Sequence, residues 1–381
     1  MTTVGKTIAW VIVLILVIWG IVQIAQTPEA DLSESIKVGV ILPLTGDAAV
    51  YGEPGRNVIA LATEEINNLG GVNGRQLEMI YEDGKCSGPA AASAAQKLIN
   101  VDKVQAIIGG FCSGESLAAE PIATNAKVLL FSPGSSSPDL TGKSQYFVRN
   151  YPSDSAQGQV LAEVAYNDKV WKNVAFMQEQ TDYALGLFNA FDSSFTELGG
   201  ATTKEEFPST TAEFRSVLTK LKASNPDALF LSVQTPAIGE RILKQIAELK
   251  WNIPLLVSDI IPGDVEMVKN NKAVLEGALV AEFGVNADNP LFKLLADSYK
   301  AKYGADMPFQ SYGQTEYDAV YMLRDGMIAV GNDGEKLSKW MRTVTDFEGA
   351  TGKITIGENG DPLSGHRPEV IKDGAVMPYQ K

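Results

Sequence analysis

The chain has one histidine, His366, and two cysteines, Cys86 and Cys112, in 381 residues. So small a supply of soft ligands argues against a zinc site and removes most acid–base and triad schemes built on histidine. Carboxylate-only chemistry stays open. The GxSxG elbow, the HExxH zinc motif, the P-loop and a GxGxxG after the first strand are all missing. No lysine/arginine cluster stands out, and the net charge is −14, so a phosphate backbone would be repelled. These absences favour binding over catalysis. No enzyme activity, no cofactor, no metal and no nucleic-acid partner is expected.

What is present has an ordinary globular composition, 45% hydrophobic and 20% charged. The length is too great for one compact core and suits two α/β lobes. Ile8 to Ala25 carry no charge over 18 residues, the length of a membrane-spanning helix. Lys6 precedes this run, and Glu29, Asp31 and Glu34 follow it, which places the amino terminus inside and the remainder outside. A core helix is a poor alternative, because the run stands at the terminus before a polar linker. Gln23-Ile24-Ala25 and Pro28-Glu29-Ala30 fit a secretory cleavage site badly, and no cysteine follows to carry a lipid. An uncleaved anchor over residues 1–25 is therefore favoured over a cleaved signal. Outside the cytoplasm two cysteines permit a disulfide, which would close a loop of about 27 residues and contribute about 3.5 kcal/mol. Two free buried thiols are the alternative.

Residues 26–35 read as a linker. From Ile36 short apolar runs alternate with helical patterns. KVGVIL is a strand, and Val58, Ile59, Ala62 and Ile66 mark a helix from Gly55 to Leu69. QLEMIYED is a strand, and a helix from Pro89 to Ile99 follows. VQAIIGG and VLLFSP continue the alternation, which restarts after Tyr151 with NVAFMQ, a helix through Phe188, ATTKEEFP, a helix from Ala212, ALFLSVQ, another helix and IPLLVSD. Continuous apolar runs of this kind are buried parallel strands, so two helix-covered parallel sheets are expected. RNYPSDS, from Arg149, reads as a first crossing between lobes, and Ala281 to Gly284 as a second. A helical stretch from Pro290 to Val330 would return to the first lobe, and the tail from Gly352 reads as strand, turn and strand. The boundaries are 36–150 with 282–365 for lobe one, and 151–281 with 366–381 for lobe two.

In open α/β sheets ligands sit beyond the carboxyl ends of the strands. After VQAIIGG, Phe111-Cys112-Ser113-Gly114 opens a helix, whose free N–H groups and serine hydroxyl make a small anion site. After VLLFSP come Gly134-Ser135-Ser136-Ser137-Pro138, adding hydroxyls and a close-approaching backbone. Either segment alone can equally be a capped helix or a solvated turn. IPLLVSD puts Asp259 at a strand end, where it either pairs with a ligand ammonium or caps a turn. Tyr51 and Tyr183, each at a helix start, either wall the cleft or pack half-buried.

These segments resemble the type I periplasmic binding proteins that serve branched-chain amino-acid transporters. The resemblance spans nearly everything after Ile36 and is strongest in PLTG, the YG of Tyr51-Gly52, and GG-NGR before a strand ending in an acidic pair. It implies two Rossmann-like lobes joined by hinge crossovers, a monomer, an ABC permease as partner, and a Cys86–Cys112 bridge. It also implies that Ser113 and Ser136 donate to a ligand carboxylate, with Ser135 beside them. The Gly134 carbonyl and Asp259 would take the ammonium, and Tyr51 and Tyr183 would line the pocket. Two departures stand out. Asp259 is shorter than the usual glutamate, and Gln234 replaces a second tyrosine of the closing lobe. A buried amide left unpaired costs about 1–3 kcal/mol, so the ligand's far end is expected to be polar or to meet a water. The alternatives are an amide, a urea-like compound or a small carboxylate in the same cleft, or a sensory receptor read by another protein.

Overall fold

A computed structural model describes residues 34–381. The run read as a membrane anchor lies outside them, and among the described residues no helix is long and apolar enough to cross a membrane. Five strands build the first sheet: β1 (Ile36–Leu42), β2 (Leu77–Asp83), β3 (Ala106–Ile108), β4 (Leu129–Ser132) and β5 (Phe147–Arg149). They are parallel, in the order β2-β1-β3-β4-β5. Between them run α1 (Ala49–Asn68), α2 (Gly88–Asn100) and α3 (Ser113–Ala126). Alternation along β1 sends Val38, Val40 and Leu42 into the core that contains α1, and Ile41 towards α2 and α3. Both faces are thus covered, which is why the strand reads as a continuous apolar run.

After Arg149 the chain changes sheets. α4 (Asp154–Glu163) leads to β6 (Asn173–Glu179), α5 (Asp182–Glu197), β7 (Ala201–Phe207), α6 (Arg215–Ala223), β8 (Ala228–Ser232), α7 (Pro236–Glu248) and β9 (Leu255–Val257). Three short helices, α8 (Ile260–Gly263), α9 (Val265–Asn270) and α10 (Lys272–Leu275), precede β10 (Leu279–Glu282). The chain then returns to the first body through α11 (Pro290–Tyr303), α12 (Gln310–Val330) and α13 (Gly334–Met341), with α12 packed on α1 and α13 on β4 and β5. A small hairpin, β11 (Phe347–Gly349) and β12 (Gly352–Ile354), comes before the last return, to β13 (Arg367–Lys372) and β14 (Ala375–Pro378). The second sheet runs β14-β13-β10-β9-β8-β6-β7.

Several boundaries differ from the sequence reading. α1 begins at Ala49 rather than Gly55, running through Gly52 and Pro54; the proline removes one intrahelical hydrogen bond near the start without ending the helix. A Cβ on Gly52 would lie 2.0 Å from the Pro43 carbonyl, so the YG motif is a close approach of helix to loop. α5 runs on to Glu197, past Phe188, and α6 starts at Arg215 rather than Ala212. The stretch from Pro290 to Val330 is two helices, separated where Gly304 takes a left-handed conformation (φ 76°) and Pro308 follows. The second sheet is not wholly parallel, since β13 lies antiparallel to β10 and β14 antiparallel to β13. The tail's two strands belong to different sheets: β12 pairs with β11, and β13 with β10.

Candidate functional site

Both sheets place β1, β3 and their counterparts β6, β8 side by side, so neighbouring strands send their connections to opposite faces. A crevice opens at such a switch point. Tyr51 follows β1, Phe111 to Ser113 follow β3, and Gly134 to Ser136 follow β4. From the second sheet, Tyr183 follows β6, Gln234 follows β8, and Asp259 follows β9. A small cavity lies where these segments meet. Tyr51, Ser113, Gly134, Ser136, Tyr183 and Gln234 all line it. Phe111, Cys112, Ile260 and Tyr312 complete the wall. Ser135 and Asp259 stand behind the lining.

On the first-sheet side, the hydroxyl of Ser113 accepts from the Ser137 amide at 3.1 Å, which leaves its proton free to donate. Ser135 is turned inward, its Oγ donating to the carbonyls of Gly110 (3.0 Å) and Phe111 (3.1 Å). Ser136 Oγ donates to Asp154 Oδ2 at 2.8 Å, while the Asp154 amide returns a bond to the Ser136 carbonyl at 2.8 Å. The fully buried Arg149 fixes this loop by donating to the carbonyls of Ser135 and Ser137, at 3.1 and 3.0 Å. Its charge is met by Asp361 through two bonds, 2.7 Å from Nε and 3.0 Å from Nη2. Cys86 and Cys112 are bridged, with Cα atoms 5.3 Å apart. Cys112 is the N-cap of α3, so the bridge holds the helix end that presents Ser113. Glu115 accepts the amides of Cys86 (2.8 Å) and Cys112 (2.9 Å), yet burial pushes its carboxyl up to about 7.

On the second-sheet side, three phenols converge on Asp259. Tyr183 donates to Oδ1, while Tyr151 and Tyr312 donate to Oδ2 at 2.6 and 3.2 Å. Burial and the Asp259 charge push all three phenols up, so they stay protonated donors. Gln234 is fixed through its backbone. Its amide donates to Glu179 at 2.8 Å and its carbonyl accepts from Tyr51 Oη at 3.0 Å, a bond that spans the two bodies. The Gln234 side-chain amide donates to Cys86 Sγ. Near the crossings, burial and the Asp259 charge push Asp154 and Glu282 well above the carboxylate range. Burial pulls His366 down to about 4.

Sequence reasoning missed Phe111 as a wall, and Tyr151, Tyr312 and Asp154 altogether. Tyr151 had a signal, since a residue in a crossing borders the crevice by topology. Tyr312 had none, because α12 follows no strand. Among the described residues, no group of three or more His, Cys, Asp or Glu side chains is arranged to hold a metal ion.

Two α/β sheets that meet at their strand ends and exchange the chain three times are the build of a hinged, two-lobed type I binding protein. Residues 35–368 match the family described as periplasmic binding protein, and the chain belongs to that family. It is 26% identical over 347 residues to the Leu/Ile/Val-binding protein BraC3 of Rhizobium johnstonii, covering 90% of this chain and 93% of that one. The leucine binding protein LivK of Thermotoga maritima superposes with a TM-score of 0.82 at 32% identity, covering 91% of this chain and 98% of the other. A solute binding protein of an ABC transporter from Rhodopseudomonas palustris, in complex with 3,4-dihydroxybenzoic acid, gives 0.76 at 25% identity, with 91% and 98% covered. Membership places the chain outside the cytoplasm, among solute-binding components of transporters.

Proposed function

We propose that the protein captures an amino acid, branched-chain-like or related, between its lobes and delivers it, unchanged, to an ABC importer. The observation that carries this reading is the pairing across the cleft. Hydroxyls and a helix end at Ser113 and Ser136 face one side, and the Asp259 carboxylate, which accepts from three phenols, stands on the other. The ligand carboxylate binds Ser113 Oγ and, once Ser136 releases Asp154, Ser136 Oγ. The ammonium binds the Gly134 carbonyl and Asp259, displacing a phenol. Tyr51, Tyr183 and Gln234 border the side chain, with Ser135 supporting the loop from behind. The lobes comprise 36–150 with 282–365, and 151–281 with 366–381. They act as a monomer that closes like a hinge. Residues 1–25 hold the protein to the outer face of the cytoplasmic membrane.

A second reading, a plain carboxylate ligand, has one observation in its favour. Asp259 already accepts from three phenols and does not line the cavity, so an ammonium must first displace a donor. Thermal shifts of the full chain against amino acids, short amides, urea and simple carboxylates separate the two. A ligand at 100 times its Kd adds about 2.7 kcal/mol, a shift of several degrees. Protection by an α-amino acid that Asp259→Ala abolishes supports the first reading. Protection by carboxylates alone overturns it.

A further inference from the structure

Beside the cleft lies a second, narrow space between the first turns of α1 and the start of α12. The two spaces share Tyr51, Phe111 and Tyr312 as walls. On the wall of the second stands Glu316, whose residue is 2% exposed. Its Oε1 is buried with no hydrogen-bond partner among the described residues. The chain makes room for this carboxyl: a Cβ on Gly55 would lie 2.2 Å from Glu316 Oε1. Burial alone pushes the group up, with no neighbouring cation to oppose it. The Tyr81 phenol, also buried and unpartnered, lies within range of the Glu316 charge. Acceptors stripped of water and given no donor are costly to keep. A hydrophobic residue would fill the gap between α1 and α12 without that cost.

We propose that this chamber receives the far end of the ligand's side chain and selects for a hydrogen-bond donor there. The inference rests on the amino-acid reading above and narrows it to an α-amino acid with an unbranched side chain ending in an N–H or O–H group. The headgroup sits among Ser113, Gly134 and Ser136, and the methylenes pass along the Tyr51, Phe111 and Tyr312 rings. The terminal donor reaches Glu316. Tyr51 stands between the two spaces, its ring centroid 6.1 Å from that of Tyr312, and turns aside to admit the chain. A short branched side chain fills the cleft but leaves Glu316 unpaired.

The test is calorimetric titration of the full-length protein with norleucine and with lysine, ornithine and glutamine, which are of similar reach but end in donors. Alanine and leucine serve as headgroup controls. At least one donor-ended ligand is expected to bind about ten-fold or more tightly than norleucine, the size of one hydrogen bond to an acid. In Glu316→Leu that ratio is expected to fall to about one. Should the apolar variant fail to fold, Glu316→Gln keeps the shape and is expected to erase the preference for lysine or ornithine. Norleucine binding as tightly as every donor-ended ligand overturns the proposal, as does a ratio that survives in both variants. If alanine or leucine binds while the ratio is near one, only the chamber assignment fails. If no amino acid binds at all, the headgroup reading fails and this one with it.

Discussion

The phenol of Tyr151 donates to Asp259 Oδ2 at 2.6 Å across 108 positions of sequence, joining the first crossing to a strand end of the second sheet. Without a ligand, this bond helps satisfy a carboxylate that is 3% exposed. Tyr151→Phe therefore removes a charge-assisted bond, worth about 1.5–3 kcal/mol. The free protein is expected to melt a few degrees lower. The stabilisation gained on adding ligand is expected to grow, because the ammonium no longer competes with that phenol. Differential scanning with and without a saturating amino acid reads both changes, and an unaltered ligand shift would show that the phenol and the ammonium do not share the carboxylate.

The Cys86–Cys112 bridge closes a short loop and holds the N-cap of α3. Replacing both cysteines by serine is expected to lower unfolding free energy by about 3.5 kcal/mol on the chain-entropy model. Ligand affinity should fall as well, because Ser113 follows the freed cap. Urea unfolding measures the first effect and titration the second. Full stability in the double variant would mean that the folded chain, not the bridge, holds this corner.

Much of this was legible in the sequence. Two helix-covered sheets, the first of them wholly parallel, the crossing at Arg149 and six of the residues lining the cavity follow from apolar runs, strand ends and family motifs. The remainder depended on tertiary partners that lie far away in sequence. Ser135 reads like Ser136, yet neighbouring residues of a loop point in opposite directions, and only Ser136 reaches the cavity. Asp259 stands at its strand end as expected, but nothing local announces three phenols from positions 151, 183 and 312. The start of α1 lies earlier than the sequence pattern implies because Gly52 and Pro54 fall in its opening turns, where they read as a preceding loop.

Acidity and stability are linked through the same buried groups. Glu115, raised to about 7 from an ordinary 4.5, binds a proton in the folded chain that the unfolded chain has released. Its contribution to stability is full below its unfolded value and disappears as the pH rises through its folded one. Asp318, raised to about 6 by burial, acts in the same direction. His366, pulled down to about 4, acts oppositely: its contribution is present above its unfolded value of 6.5 and is lost as the pH falls through about 4. Glu115→Gln is accordingly expected to flatten the decline in stability between about pH 5 and pH 7 by one proton's worth, whatever its absolute stability. Urea midpoints collected across that range check it, and a slope equal to that of the parent would assign the decline elsewhere.

Tyr317 on α12 donates to Glu65 on α1 at 2.6 Å, although 252 residues separate them. At ribosomal speeds of about 5–20 residues per second, α1 waits between about 13 and 50 s for the helix that covers it. The first sheet therefore has no complete apolar cover while most of the chain is being made, and long-range contacts of this kind form slowly. A polypeptide built this way remains threadable until its last quarter emerges, which suits passage across a membrane before folding.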